Sequence, residues 1–293
     1  MSTSMTGAGL QDGPLVLAGR KAVLLSKHRK EQVIGPALEA GTGCELVVEA
    51  GFDTDRFGTF TREVPRQDTQ LDTARAKARK GIELTGLDLG LGSEGTFGPH
   101  PMVGFLPWNR EVVLLLDVRE DLELCGECAS EKTNFAHAVV EDEEDAEVFA
   151  RRVHFPEHWL VVRPDHEAHP AIIKDVNSWD ALWQAFRQAL AASTTRRVFL
   201  ETDMRAHANP TRMQNILAAT QDLVRKLRSP CPRCGSPGFA PTRKRRGLPC
   251  ELCGYPTPEI AAQVLTCPRC PYSEEQPVTV RTAPAEYCPH CNP

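Results

Sequence analysis

Between Lys21 and about Leu227, short apolar runs alternate with segments whose apolar residues recur at helical spacing. That alternation predicts an α/β layered domain. KAVLLS reads as a short buried strand and KEQVIGPALEAG as the helix after it, with Val33, Ile34, Ala37 and Leu38 on one face. Pro36 tightens the start of that helix and Gly41 suits a C-terminal cap. CELVVEA predicts a second strand with Cys44 in the core, and QLDTARAKARKGIELTG a helix with a small, alanine-rich inner face that ends at Gly86. LDLGLGSEGTF reads as a glycine-rich strand and EVVLLLDV as a fully buried one. The second half continues with the acid-started helix DEEDAEVFARRV, strands WLVVRP and AIIKDV, helix SWDALWQAFRQALAAS, strand RVFLET and helix PTRMQNILAATQDLVRKL. The run Glu141 to Asp145 is a solvated first helical turn favoured by the helix dipole.

After Leu227 proline, glycine and cysteine replace helical periodicity, and the segment is too loop-rich to hold together by apolar burial alone. Three parts are expected: a flexible leader over 1–19, a mixed-sheet α/β domain over 20–228, and a small cysteine-rich tandem zinc-ribbon domain over 229–293.

The tail carries the strongest chemical signal. Cys231 and Cys234 are followed after fifteen residues by Cys250 and Cys253, and Cys267 and Cys270 after seventeen by Cys288 and Cys291. Two CxxC turns supply the four thiolates of a tetrahedral zinc site, and four thiolates leave no open position for water or substrate. The expectation is two structural zinc ions. Sequential pairing gives two ribbons in tandem and interleaved pairing a cross-braced module; spacing leaves both open. His290 lies inside the last CxxC turn and is not taken as a ligand. The remaining pair, Cys125 and Cys128 in CGEC, follows a strand rather than opening a helix, and reads as two reduced thiols.

Charge changes the picture only locally. The net charge is -5 with 41% hydrophobic residues, so the whole chain does not advertise a nucleic-acid or membrane binder. Within the tail, however, no acid occurs between Asp222 and Glu251, and Arg243, Lys244, Arg245 and Arg246 would sit at a hairpin tip as a candidate phosphate grip on nucleic acid. No run of about 18 apolar residues and no signal-peptide pattern appears, and the CxxC usage favours a reducing compartment, so a cytoplasmic location and no membrane partner are expected. P-loop, Rossmann and nucleophile-elbow signatures are absent.

Three separated stretches remain: LLSKHRKE, TARAKARKGIELTGLDLGLGSEGTF and ETDMRAHANPTRM. Asn209 before Pro210 has the chemistry of an N-cap and first helical residue. Together the three resemble, distantly and over residues 20–228, the inosine/xanthosine triphosphate pyrophosphatases. Ser26 to Lys30 is similar to that family's phosphate loop, AKARKGIELTG with Glu94 to its helix and acidic strand, and Asn209 to Arg212 to its base-contacting turn. Lys27, Thr211 and the single carboxylate at Glu94 depart from the family pattern. The resemblance implies magnesium-assisted attack of water on a nucleoside triphosphate. Lys30 and Lys77 would hold phosphates, Glu94 would bind Mg²⁺ or orient water, and Ser26, Arg75, Arg205, His207, Asn209 and Arg212 would contact the nucleotide. The whole chain also resembles a bacterial family of uncharacterised zinc-ribbon proteins, which adds no chemistry. The competing expectation is a non-enzymatic zinc-ribbon adaptor for nucleic acid or a protein partner.

Overall fold

The computed structural model describes residues 16–54 and 68–293. Of the expected leader, 1–15 lie outside the described residues and 16–19 form a turn. The chain folds as two compact units, one over Leu17–Val224 and one containing Arg225–Pro293.

The larger unit holds two sheets. The first contains β1 (Lys21–Leu25), β2 (Glu45–Glu49), β3 (Leu89–Pro99), β4 (Pro107–Asp117) and β5 (Leu122–Ser130), in the order β2-β1-β3-β4-β5. β1 runs parallel to both β2 and β3, and the β3–β4 and β4–β5 pairs are antiparallel. Helix α1 (Glu31–Thr42) leads from β1 to β2, and α2 (Gln70–Thr85) leads into β3. Thr69 caps α2 by accepting from the Asp72 amide at 3.2 Å. The inner face of α2 is small, as the alanines predict: Ala74 and Ala78 pack on Val112, Leu114 and Leu116.

The glycines of β3 belong to that packing. A Cβ on Gly92 would lie 1.8 Å from the Ala74 carbonyl oxygen and one on Gly90 2.4 Å from that of Ala78, so helix and strand backbones meet only because no side chain intervenes. On the opposite face, set by strand alternation, helix α5 (Pro210–Leu227) approaches β5 the same way. A Cβ on Gly126 would lie 2.1 Å from the Ala219 carbonyl oxygen.

The second sheet is antiparallel. It contains β6 (His137–Val140), β7 (Leu160–Pro164), β8 (Ile173–Val176) and β9 (Val198–Thr202) in the order β6-β9-β7-β8. Helices α3 (Glu143–Arg152) and α4 (Trp179–Ala192) cover it around Phe149, Leu160, Val162, Leu182, Phe186 and Leu200. The acidic run does open α3, where Asp142 accepts from the Asp145 amide at 2.9 Å. In the smaller unit β10 (Ala240–Arg246), β11 (Ile260–Thr266) and β12 (Ser273–Pro277) form an antiparallel sheet in that order.

Four local expectations need correction. The C-cap of α1 is Gly43, which takes the left-handed φ of 72°; Gly41 is inside the helix, where only a hydrogen fits against Val224. Cys44 is buried but precedes β2. CGEC does not follow a strand but lies within β5. Arg243 to Arg246 occupy β10 rather than a hairpin tip, because the turn falls after Gly247.

Candidate functional site

The cysteines gather as two groups of four: Cys231, Cys234, Cys267 and Cys270, and Cys250, Cys253, Cys288 and Cys291. Within each group all sulfurs lie within 4.8 Å of one another. Of the two pairings left open by spacing, the chain adopts the interleaved one. Sulfurs approach at 3.7 Å for Cys231–Cys270, 3.6 Å for Cys234–Cys267, 3.9 Å for Cys250–Cys291 and 3.7 Å for Cys253–Cys288. A zinc tetrahedron with bonds of about 2.3 Å has edges of about 3.8 Å, so each group could hold one metal ion and fits zinc.

The knuckles are locally built to keep the sulfurs together. The Gly235 amide bonds the Cys231 carbonyl at 2.9 Å and the Gly254 amide that of Cys250 at 3.0 Å, both glycines lying in the left-handed region. The backbones of Cys253 and Leu252 hydrogen-bond the Cys250 sulfur and lower its pKa to about 7. At Cys267 burial opposes, but the Arg269 and Cys270 amides, at 3.3 and 3.4 Å, prevail and also lower it to about 7. Thiolate, the form a metal requires, is thereby favoured at these two sulfurs, while, against the Tyr272 backbone at Cys270, neighbouring cysteines and burial push Cys270 and Cys291 up to about 12.

On β10, Pro241 to Arg245 and Arg246 are exposed, so the four cations face solvent. They are not uncompensated: Arg245 pairs with Glu275 of β12 at 2.8 Å, and Arg246 donates to the Pro258 carbonyl at 2.6 Å.

Cys125 and Cys128 cannot form a disulfide with each other. Three strand residues span about 10 Å and point the two side chains to opposite faces. Cys125 packs toward α2, and burial raises the Cys128 thiol.

The second cluster lies beyond the carboxyl end of β1, beside the middle of β3 where that strand continues past β1. The chain leaves β1 toward β2 through α1 and returns through α2 to β3 on β1's other side, and this divergence point is where open α/β sheets take ligands. Ser26 ends the β1 run and donates to Glu31 at 2.7 Å. Lys30, 8% exposed, donates from Nζ to the Ser93 carbonyl at 2.7 Å and to Ser93 Oγ at 3.3 Å. Lys77 reaches in from α2 and ion-pairs the buried Glu94. Arg75 does not join them; it is tied to Glu123 on β5 at 2.7 Å and to Asp72.

The turn after β9 supplies the other side. Arg205 is held by the buried Asp203 and by Asp175 at 2.7 Å. Asn209 caps α5, its Oδ1 accepting from the Arg212 amide at 2.9 Å. Arg212 is only 1% exposed: Nε donates to Glu111 at 2.9 Å, Nη1 to the Met204 carbonyl, and its guanidinium lies 5.3 Å from the Phe97 ring centre. Its charge acts on Lys30 and His28 although its nitrogens are occupied. The His207 ring centre is 5.2 Å from that of His28 and 5.4 Å from that of Trp159. Glu111 and Trp159 are not among the candidate residues, and His28 lies within the Ser26 to Lys30 loop without a role of its own. The only sequence signal for Glu111 is an acid heading an otherwise apolar strand.

The field here is positive. Burial, then the charges of Lys30, His207, Arg212 and Arg205, push His28 down to about 3. Burial and Arg205 lower His207. Burial, then Arg212, lower Lys30 to about 7 against the pull of Glu94. Between pH 7 and the ordinary lysine value of 10.5, the unfolded chain therefore holds a proton that the folded chain lacks, and stability rises with pH across that window. Urea unfolding is expected to show stability rising more steeply with pH in the native chain than in Lys30→Met; equal slopes would contradict it.

Glu94 shares the α2 face of β3 with Gly90 and Gly92, whereas Glu111 lies on the Gly95 face. The two buried carboxylates therefore form no ligand pair. Among the described residues, the groups of three or more potential metal ligands are the two cysteine clusters. No helix among the described residues is long and apolar enough to cross a membrane. No curated protein and no solved structure matches the chain. Residues 77–293 match the domain of unknown function DUF6671, and with well over half of its length inside that match the chain belongs to the DUF6671 family.

Proposed function

We propose that the larger unit binds the phosphates of a nucleotide in a crevice beyond the end of β1 and beside the middle of β3, and that the smaller unit holds two structural zinc ions. The observation that supports the first part is the convergence there of Lys30, Lys77, Arg205 and Arg212, whose charges act on Lys30 or on His28, where burial comes first in lowering the pKa. A polyphosphate needs several cations, and a dry cationic crevice interacts with it more strongly than the same charges in water. A bound phosphate takes over Lys77 from Glu94. The released carboxylate is then the oxygen ligand available to magnesium in a pyrophosphohydrolase reading of the site.

The test is to titrate zinc-replete full chain with a nucleoside triphosphate panel, inosine and xanthosine forms included, following both binding heat and pyrophosphate release with magnesium. Lys77→Met is expected to weaken binding about tenfold or more, the weight of one charge-assisted contact. Glu94→Gln is expected to abolish any release while binding persists. No binding and no release by the folded native chain would overturn the reading. The second reading, a nucleic-acid or protein adaptor, is favoured by the exposed cations of β10. It expects salt-dependent nucleic-acid binding that is lost when Arg243, Lys244, Arg245 and Arg246 are replaced by glutamine.

A further inference from the structure

We infer that the contiguous rings of His28, His207 and Trp159 form a stacking platform for the heteroaromatic base of the nucleotide whose phosphates the crevice takes. This rests on the reading just proposed and adds the base to it. The His28 and His207 rings are tilted by 32° at 5.2 Å, too close to admit a base between them, and Trp159 meets His207 edge-on at 5.4 Å. The three make one surface on which a base stacks from outside. All three are half-buried and lie outside the apolar core of the second sheet, and the charges of Lys30 and Arg205 act on His28.

Three independent features mark the platform as more than turn packing. The rings are held uncharged by burial and surrounding cations, so they offer neutral π faces at neutral pH. Two flanking residues with side chains, Arg29 and Asp175, occupy the left-handed region at φ 58° and 62°. That conformation costs energy away from glycine and concentrates at ligand sites. Asp175 lies 4.0 Å from His207 Nε2, and Arg29 is among the charges acting on that ring. Among the described residues, His207 Nδ1 is buried with no hydrogen-bond partner, a polar atom that asks for one. A peptide aromatic would stack equally well; a nucleotide adds phosphates that can exchange with the carboxylates now held by Arg205 and Lys77.

The experiment compares inosine triphosphate with inorganic tripolyphosphate by calorimetry on the zinc-replete full chain. A stacked base adds about tenfold or more in affinity, so the nucleotide should bind that much tighter. The gap should close in His28→Ala and persist in His28→Phe, which keeps a ring. As a readout that needs no histidine variant, inosine triphosphate should quench a tryptophan signal that disappears in Trp159→Phe, and tripolyphosphate should not. Equal affinity of the two probes, a gap that survives His28→Ala, or quenching that survives Trp159→Phe overturns the platform while leaving the phosphate crevice standing. Failure of both probes to bind overturns crevice and platform together.

Discussion

A chain in which Cys231, Cys234, Cys267 and Cys270 are all replaced by serine should keep one zinc ion, whereas one with serine at Cys231, Cys234, Cys250 and Cys253 should keep none. The first set removes one complete sulfur group, and the second removes half of each. Sequential pairing would reverse the two results, so metal content after dialysis, measured by mass spectrometry, decides the topology directly. The effect on folding should be as large. Among the described residues of the smaller unit, the buried apolar side chains are Leu227, Phe239, Leu248 and Leu265 with three alanines, beside Cys231, Cys250 and Cys288. So small a core cannot offset the ordering entropy of the segment. A structural zinc supplies about 10–16 kcal/mol, comparable with or above the whole stability of a typical domain. Chelation under reducing conditions should therefore expose 225–293 to proteolysis while leaving the larger unit protected. A tail that resists protease after losing its metal would refute the structural role.

Elements and caps were legible in the chain wherever local chemistry sets them. KAVLL became β1 because its apolar run is buried on both faces. Gly86 ends α2 at φ 71° as its position predicts, and Asn209 caps α5. Equally legible was membership of the cysteine groups, because CxxC brings two sulfurs together without help from the fold. What the chain did not disclose depends on contacts distant in sequence. Interleaving of the knuckles is decided by how β10, β11 and β12 pair, and no spacing rule encodes that. Gly90 and Gly92 read as part of a glycine-rich strand, and what that reading does not show is that they seat α2. Arg75 and Lys77 stand two residues apart on one helix, yet one reaches β5 and the other the crevice; a helical rotation of about 200° separates them. Glu111 escaped notice because its partner is 101 residues away.

That partner makes Arg212 the residue of the larger unit whose loss should cost most. Arg212 and Glu111 are 1% and 0% exposed in their side chains. Arg212→Met leaves the carboxylate buried with Asn109, at 3.1 Å, but without its counter-charge. Removing one member of a buried pair costs about 3–5 kcal/mol, because the remaining charge loses its compensation. Replacing both members by apolar residues of similar volume, Arg212→Met with Glu111→Leu, removes the stranded charge and should recover most of that loss. Gly95→Ala should resemble the single variant, since its Cβ would lie 2.3 Å from Glu111 Oε1 and 2.7 Å from Arg212 Nη2. Urea unfolding of the native chain, Arg212→Met, Glu111→Leu and the double variant forms the cycle; a single Arg212→Met within about 1 kcal/mol of the native chain would show that the pair is not a strut. The double variant then separates structure from charge. If it folds like the native chain yet binds tripolyphosphate less tightly, Arg212 serves the crevice through its field. Unchanged binding would confine it to joining β4 to the start of α5.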